Sequence, residues 1–254
     1  MTLGAEHLVI VSVLAFFAYG LKGLTGFGPA MLFVPVVSVL FNQPLAVAAS
    51  GVLDATSGAA LTAADARIRR GREGFLTGAA MAVGTAVGVV VLSRVPGPAA
   101  AAMLVLAVLV GLASVVTAQV KGPVEQSRKI GPRGGAVGLL AGFVGGATGI
   151  SGPPLVIYLQ RVLAPHDLRI VVTRVLLVSA VVRVATFLAV GDGIASALLL
   201  ALVCLPMQLV GILTGSRLSR RTSPRGLAAV NSAIVAASVL LAACNAFWTT
   251  GVRP

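Results

Sequence analysis

Charged residues are scarce in this chain of 254 residues. They form 10% of the sequence, whereas hydrophobic residues form 57%, and the mean hydropathy is +1.02. This scarcity excludes a water-soluble domain of ordinary composition. Apolar runs long enough to cross a hydrocarbon core of about 30 Å recur along the whole chain, and no polar stretch forms a separate unit. We therefore predict a single all-α transmembrane domain, residues 1–254, embedded in the lipid bilayer.

Residues that carry catalysis or bind metals are also few. Cys204 and Cys244 stand alone within apolar runs, and the two histidines, His7 and His166, lie far apart near segment ends. These positions form no metal, dithiol or nucleophile motif, and no glycine-rich segment ends in the Lys-Ser/Thr pair of a phosphate-binding loop. The sequence therefore predicts no enzymatic activity, no ATP hydrolysis, and neither a metal site nor a cofactor.

Acidic residues are the rarest charged class, because seven Asp and Glu stand against 19 Lys and Arg, and the net charge is +12. The basic residues do not follow one face, as nucleic-acid binding would favour, but form clusters between apolar segments. These clusters are Arg67–Arg72, Lys121–Arg133 and Arg217–Arg225. Such clusters are typical of cytoplasmic loops. We therefore expect a multi-pass protein of the inner (cytoplasmic) membrane, with no nucleic-acid partner.

Two apolar stretches, 8–41 and 134–164, are each interrupted by a glycine-rich break. If each stretch crossed the membrane once, the chain would have eight spans in two parallel halves, and the third basic cluster would lie outside, against the positive-inside bias. If each stretch counts as two segments, all three clusters lie inside. We therefore favour an inverted repeat of two halves, about 1–120 and 133–254, with about 8–10 membrane segments that include short broken or re-entrant helices.

The two breaks have related sequences. They are Gly23-Leu24-Thr25-Gly26-Phe27-Gly28-Pro29 and Gly146-Ala147-Thr148-Gly149-Ile150-Ser151-Gly152-Pro153, in which the Thr-Gly pair recurs after 123 residues. Helical pieces at 8–21 and 28–41 are expected beside the first break. Proline suits the first turn of a helix, so a helix that begins at each Gly-Pro would direct unpaired N–H groups at the break. The hydroxyls of Thr25, Thr148 and Ser151 add donors, and the chemistry predicts an anion site.

These breaks, together with the chain length and the basic loops, resemble the sulfite exporter family often called TauE/SafE, whose halves each carry a Gly-rich, Pro-containing motif. The resemblance rests on residues 23–29 and 146–154 and extends over nearly the whole chain. It implies a transporter of sulfur-containing anions, such as sulfite, sulfoacetate or other organosulfonates, and export rather than import. Members are usually described with about eight spans, which agrees with ten segments if some are short or re-entrant.

Ionisable residues within apolar segments are costly and are functional candidates. Four stand out, namely Lys22, Asp54, Arg174 and Arg183. Lys22 adjoins the first break, and we expect it to contact the substrate; the alternative is a lysine that snorkels or pairs with Asp54. Arg174 and Arg183 lie about 180° apart on a helix, so both cannot face one site, and Arg183 is favoured. Asp54 either binds a coupling ion or neutralises a nearby arginine.

These features predict a secondary transporter in which both breaks meet near the midplane and bind a small anion that is exposed alternately to each side. The alternative is an anion channel of the same architecture. Coupling to H+ or Na+ and the oligomeric state, a homodimer included, stay open. Asp54 is the predicted coupling or charge-pairing residue. The predicted substrate-binding residues are Lys22, Thr25, Gly26, Phe27, Gly28, Thr148, Gly149, Ile150, Ser151, Gly152 and Arg183.

Overall fold

The computed structural model of the chain describes residues 4–26, 28–64, 74–120, 132–163, 165–191 and 194–219. Every regular element in these ranges is an α-helix. In chain order the helices are α1 (Ala5–Thr25), α2 (Pro29–Leu40), α3 (Gln43–Ala64), α4 (Phe75–Leu92), α5 (Gly97–Val120), α6 (Arg133–Thr148), α7 (Gly152–Gln160), α8 (Pro165–Val190) and α9 (Ile194–Ser219). The end of the predicted second half, after Ser219, and most of the three basic clusters lie outside the described residues.

Five of the described helices are long and apolar enough to cross a membrane. They are α1, α3, α4, α8 and α9, with apolar spans of 18 to 26 residues, whereas α2 is shorter. The outer faces of the bundle expose large hydrophobic side chains, among them Val9, Val83, Leu140 and Leu202. Such faces suit contact with lipid and would be costly in water. The prediction of an all-helical integral membrane protein is therefore confirmed.

Both breaks are shorter than the sequence predicted. Helix α1 does not end near residue 21 but continues to Thr25, and Gly26 and Gly28 then take left-handed conformations with φ of 88° and 95°. Helix α6 likewise continues through the first three residues of the second break, to Thr148, and Gly149 follows it with φ of 80°. Glycine adopts this conformation without the strain that a Cβ atom causes. The predicted boundary at residue 21 was wrong, because glycines before Thr25 belong to the helix.

Glycines inside the helices let two pairs of helices approach closely. A Cβ atom at Gly23 of α1 would lie 2.5 Å from Ile212 O and 2.9 Å from Ser216 N of α9. In the second pair, a Cβ atom at Gly146 of α6 would lie 2.9 Å from Val89 N of α4. Any larger side chain would push these helices apart. The packing explains why α1 and α6 extend through glycines that the sequence had assigned to the breaks.

Both of these helix pairs run in the same direction. Along α1 and α9, Gly20 lies beside Gly211, and Gly23 lies beside Ser216. The contacts between α4 and α6 follow the same rising order and are Thr77–Gly138, Met81–Gly142 and Thr85–Gly146. Pairs of glycines four residues apart, Gly84 and Gly88 in α4 and Gly211 and Gly215 in α9, lie at these contacts.

Helices α1 and α2 form an antiparallel hairpin with the first break at its tip. The ring centroids of His7 and Phe41 lie 6.0 Å apart, and those of Tyr19 and Phe33 lie 6.3 Å apart. Because His7 is near the start of α1 and Phe41 follows α2, the chain returns to the side from which it came. This geometry agrees with counting the first apolar stretch as two segments.

Helices α3 and α8 cross at the centre of the bundle in opposite directions, since Gly51 contacts Arg183 and Gly58 contacts Leu177. One polar contact joins each of these two helices to a neighbouring helix. Thr85 Oγ1 of α4 lies 2.8 Å from Ser179 Oγ of α8, and Gln208 Nε2 of α9 donates to Thr56 Oγ1 of α3 at 3.1 Å. Residues 85 and 208 are 123 positions apart, and residues 56 and 179 are separated by the same distance in sequence. The two contacts therefore occupy corresponding positions in the two halves of the sequence.

Candidate functional site

Both breaks line one cavity, to which α1, α3 and α8 each contribute a charged side chain. The cavity has a volume of about 30 Å³, room for one or two water molecules. Its remaining wall is apolar and includes Met31 and Leu176. Eight of the twelve residues predicted from the sequence line this cavity: Lys22, Gly28, Asp54, Gly149, Ile150, Ser151, Gly152 and Arg183.

Lys22 and Asp54 form a buried ion pair beside the first break. The parallel course of α1 and α3 places Lys22 Nζ 2.8 Å from Asp54 Oδ1 and 2.7 Å from Ser57 Oγ. The two charged side chains are only 5% and 14% exposed. Either charge alone would be costly at this depth. The pairing with Asp54, which the sequence offered as the alternative role of Lys22, is thus the contact that the structure contains.

Tyr19 belongs to the same cluster, although the sequence analysis did not select it. Its hydroxyl donates to Asp54 Oδ1 at 3.3 Å and to Ser50 O at 3.4 Å, and Lys22 Nζ lies 5.5 Å from its ring centroid. The side chain is fully buried. Tyr19 precedes Lys22 by three residues and so shares its helix face. That spacing was the available signal, and it could have identified Tyr19.

Arg183 approaches Asp54 from the opposite helix. Its Nη1 atom lies 3.6 Å from Asp54 Oδ2 and donates to Ser50 Oγ at 3.2 Å. A Cβ atom at Gly51 would lie 3.1 Å from Arg183 Cδ, so the absence of a side chain there makes room for the arginine. The side chain is 2% exposed, and its buried Nε atom has no hydrogen-bond partner among the described residues. Buried donors are normally satisfied, so this one is available to a ligand.

The cluster carries a net charge of +1, because the cations Lys22 and Arg183 share the single carboxylate of Asp54. None of the other described residues that line the cavity is acidic. An uncompensated charge in a low-dielectric setting attracts a counter-ion strongly. The arrangement therefore favours an anion.

The helix ends around the cavity add to this positive potential. The first turns of α2 and α7 line the cavity, and neither helix has a side-chain hydrogen bond at its N-cap. The C-terminal carbonyls of the preceding helices are satisfied instead, since Gly26 N donates to Lys22 O, Gly149 N to Gly145 O, and Gln43 Nε2 to Ala147 O. The helix dipole places partial positive charge at an N-terminus and attracts anions, even where Pro29, Pro153 and Pro154 carry no N–H. The positive N-terminal ends of α2 and α7 thus both face the cavity.

Four predicted residues are not among those that line the cavity. Gly26 is buried and caps α1, while the Thr148 hydroxyl donates to Val144 O at 2.7 Å. The side chain of Thr25 and all of Phe27 lie outside the described residues. Of the two arginines weighed in the second half, Arg183 lines the cavity and Arg174 does not.

A bundle of membrane-spanning helices that encloses a buried cationic cavity between two helix breaks defines a membrane transport protein. Residues 11–242 match the family described as Sulfite exporter TauE/SafE. The chain belongs to this family, which is a family of membrane transporters and not of enzymes. No curated protein and no solved structure matches the chain.

Proposed function

We propose that this protein is a secondary transporter that exports sulfur-containing anions, such as sulfite, sulfoacetate or other organosulfonates, across the cytoplasmic membrane by alternating access. The substrate binds in the cavity between the two breaks, where Lys22 and Arg183 contact its charge. The observation that carries the proposal is the net positive charge of the cluster, together with an Arg183 Nε atom that has no hydrogen-bond partner among the described residues. Family membership supports the sulfur-containing class and the direction of transport.

The burial of the charged groups and the small volume of the cavity favour alternating access rather than an open channel. The side chains of Lys22 and Arg183 are almost inaccessible. The cavity beside them, with a volume of about 30 Å³, has room for only one or two water molecules. A substrate that contacts both buried charged groups therefore requires the surrounding helices to move. A binding site whose charged groups become accessible only after such a movement is expected of a transporter that alternates between two sides.

The directions of the helices support an inverted repeat. Helix α1 is parallel to α3, since Tyr19 contacts Ser50 and Lys22 contacts Ser57, whereas α3 and α8 are antiparallel. Helix α4 is parallel to both α6 and α8. It follows that α1 and α6, which lead into the two breaks, run in opposite directions. This relation favours residues 1–120 and 133–254 as two halves of opposite orientation.

Flux of sulfite and of small organosulfonates into proteoliposomes tests the proposal. Wild-type protein should give saturable flux, and Lys22→Ala and Arg183→Ala should each reduce it about tenfold or more, because each removes a charged hydrogen-bond donor from the site. Arg174→Ala is the matched control, since Arg174 lies in the same helix as Arg183 but does not line the cavity. It should retain most of the wild-type flux.

The outcomes separate the candidate functions. Flux that does not saturate and that ignores imposed ion gradients would favour an anion channel of the same architecture. Absence of flux for all of these anions, or equal flux in wild type and in both cavity variants, would overturn the proposed site.

A further inference from the structure

We propose that each transport cycle carries one net negative charge, so that the membrane potential drives export. This inference rests on the proposed function and adds its charge stoichiometry. A monoanion travels alone, whereas a dianion travels with one proton that Asp54 holds. The charge count of the buried cluster, and not a separate cation site, sets the coupling.

The stoichiometry follows from the three charges at the cavity. Without substrate, Lys22, Asp54 and Arg183 sum to +1. One bound negative charge makes the loaded site neutral, and a neutral site is the least costly one to enclose away from water. A bare dianion would leave a net charge of −1. A site with these residues therefore accepts a dianion when one proton enters with it.

Asp54 is the residue placed to take that proton. Its side chain lines the cavity and is 14% exposed, more than either cation that binds it. A dianion that takes over the contacts of Lys22 and Arg183 leaves the carboxylate beside a like charge, and such pairs share a proton. Of the described groups, Lys22 and Tyr19 of α1 and Arg183 of α8 face Asp54, and Cys204 of α9 lies near Tyr19.

The remaining described elements around Asp54 add no competing proton site. Helices α2 and α4 and the described side chains of α5 contain no ionisable residue. Arg133 of α6 is at its exposed first position, and Tyr158 of α7 is not among the residues that line the cavity. Protonation of Asp54 thus releases both cations to the substrate. Because a membrane that is negative on the cytoplasmic side repels a net negative charge outward, this stoichiometry favours export without a sodium gradient.

Accumulation of sulfite under a clamped potential measures the stoichiometry. Proteoliposomes are held at about 60 mV, positive inside, with a potassium gradient and valinomycin. Both sides have the same alkaline pH, at which sulfite is mainly the dianion. One net charge per cycle sustains about a tenfold accumulation, two charges about a hundredfold, and an electroneutral cycle none. Wild-type protein should reach about tenfold, with protein-free liposomes as the leak control.

A pair of variants tests the role of Asp54. Asp54→Asn cannot take the proton and raises the charge of the empty site to +2, so it should carry the sulfite dianion alone and approach a hundredfold accumulation. Asp54→Glu keeps the titratable group and should stay near tenfold, whatever its rate. The wild-type ratio is informative even if the asparagine variant does not fold.

Each outcome has a distinct meaning. A wild-type ratio near one or near a hundred overturns the stoichiometry while sulfite transport itself stands. A tenfold ratio in Asp54→Asn overturns the assignment of the proton to Asp54. Absence of sulfite movement in wild type overturns the proposed function, and the charge stoichiometry fails with it.

Discussion

Replacing Gly146 with alanine should destabilise the protein by separating α4 from α6. The added Cβ atom would collide with Thr85 O and lie 2.9 Å from Val89 N, both of them backbone atoms that no side-chain rotation can move. Overpacking of this kind costs about 1–3 kcal/mol, and alanine recovers up to about 1 kcal/mol over glycine inside a helix. We expect a net loss of about 1–2 kcal/mol, because the obstacle is backbone. The unfolding midpoint should then fall by about 2–8 °C.

A second glycine of α6 provides the matched control. A Cβ atom at Gly135 would lie 3.5 Å from Leu76 Cγ of α4, an ordinary contact, so Gly135→Ala should melt at or above the wild-type temperature. Fusions to a fluorescent protein are heated in detergent, and the fraction that still elutes as the folded peak is measured by size-exclusion chromatography. If Gly146→Ala melts as high as Gly135→Ala, the close approach of α4 and α6 is refuted.

The same melting assay and the sulfite flux assay check three further changes. Tyr19→Phe removes one hydroxyl next to the cluster and should cost about 1 kcal/mol while flux persists; complete loss of flux would show that this hydroxyl is essential to transport. In Gly28→Ala no atom lies within 4 Å of the new Cβ, so the expected loss of stability, about 1–2 kcal/mol, comes only from the backbone φ of 95°. The control Gly97→Ala is equally uncrowded and should melt as wild type does. Gln208→Leu leaves the buried Leu53 carbonyl without its 2.6 Å donor and should cost about 1–3 kcal/mol; an unchanged midpoint would contradict that contact.

Residues of the cavity could be predicted from the sequence because charged residues are rare within apolar segments. Lys22, Asp54 and Arg183 each interrupt a membrane segment, and the energetic cost of a charge in hydrocarbon makes such positions candidates by default. All three line one cavity with the two breaks. Their convergence follows from the packing of α1 and α8 against α3.

The contacts within the cluster were predicted only as alternatives. Lys22 and Asp54 are 32 positions apart, and the registration of α1 against α3 depends on close contacts that leave no periodic trace in the sequence. Glycine was a second source of error. A glycine that ends a helix and a glycine that permits helix contact look identical in sequence, so the break was predicted too early, whereas Gly23 packs against α9 inside a continuous helix.

The packing of α1 against α9 has a consequence for biogenesis. Gly20 of α1 contacts Gly211 of α9, which is synthesised about 190 residues later. At a translation rate of about 5–20 residues per second, α1 waits on the order of 10–40 s for its partner. During that interval its glycine face, which lies against a backbone in the finished bundle, has only lipid or the insertion machinery to contact. Helix α1, which enters the membrane before α9, therefore reaches its final packing only after α9 has been made.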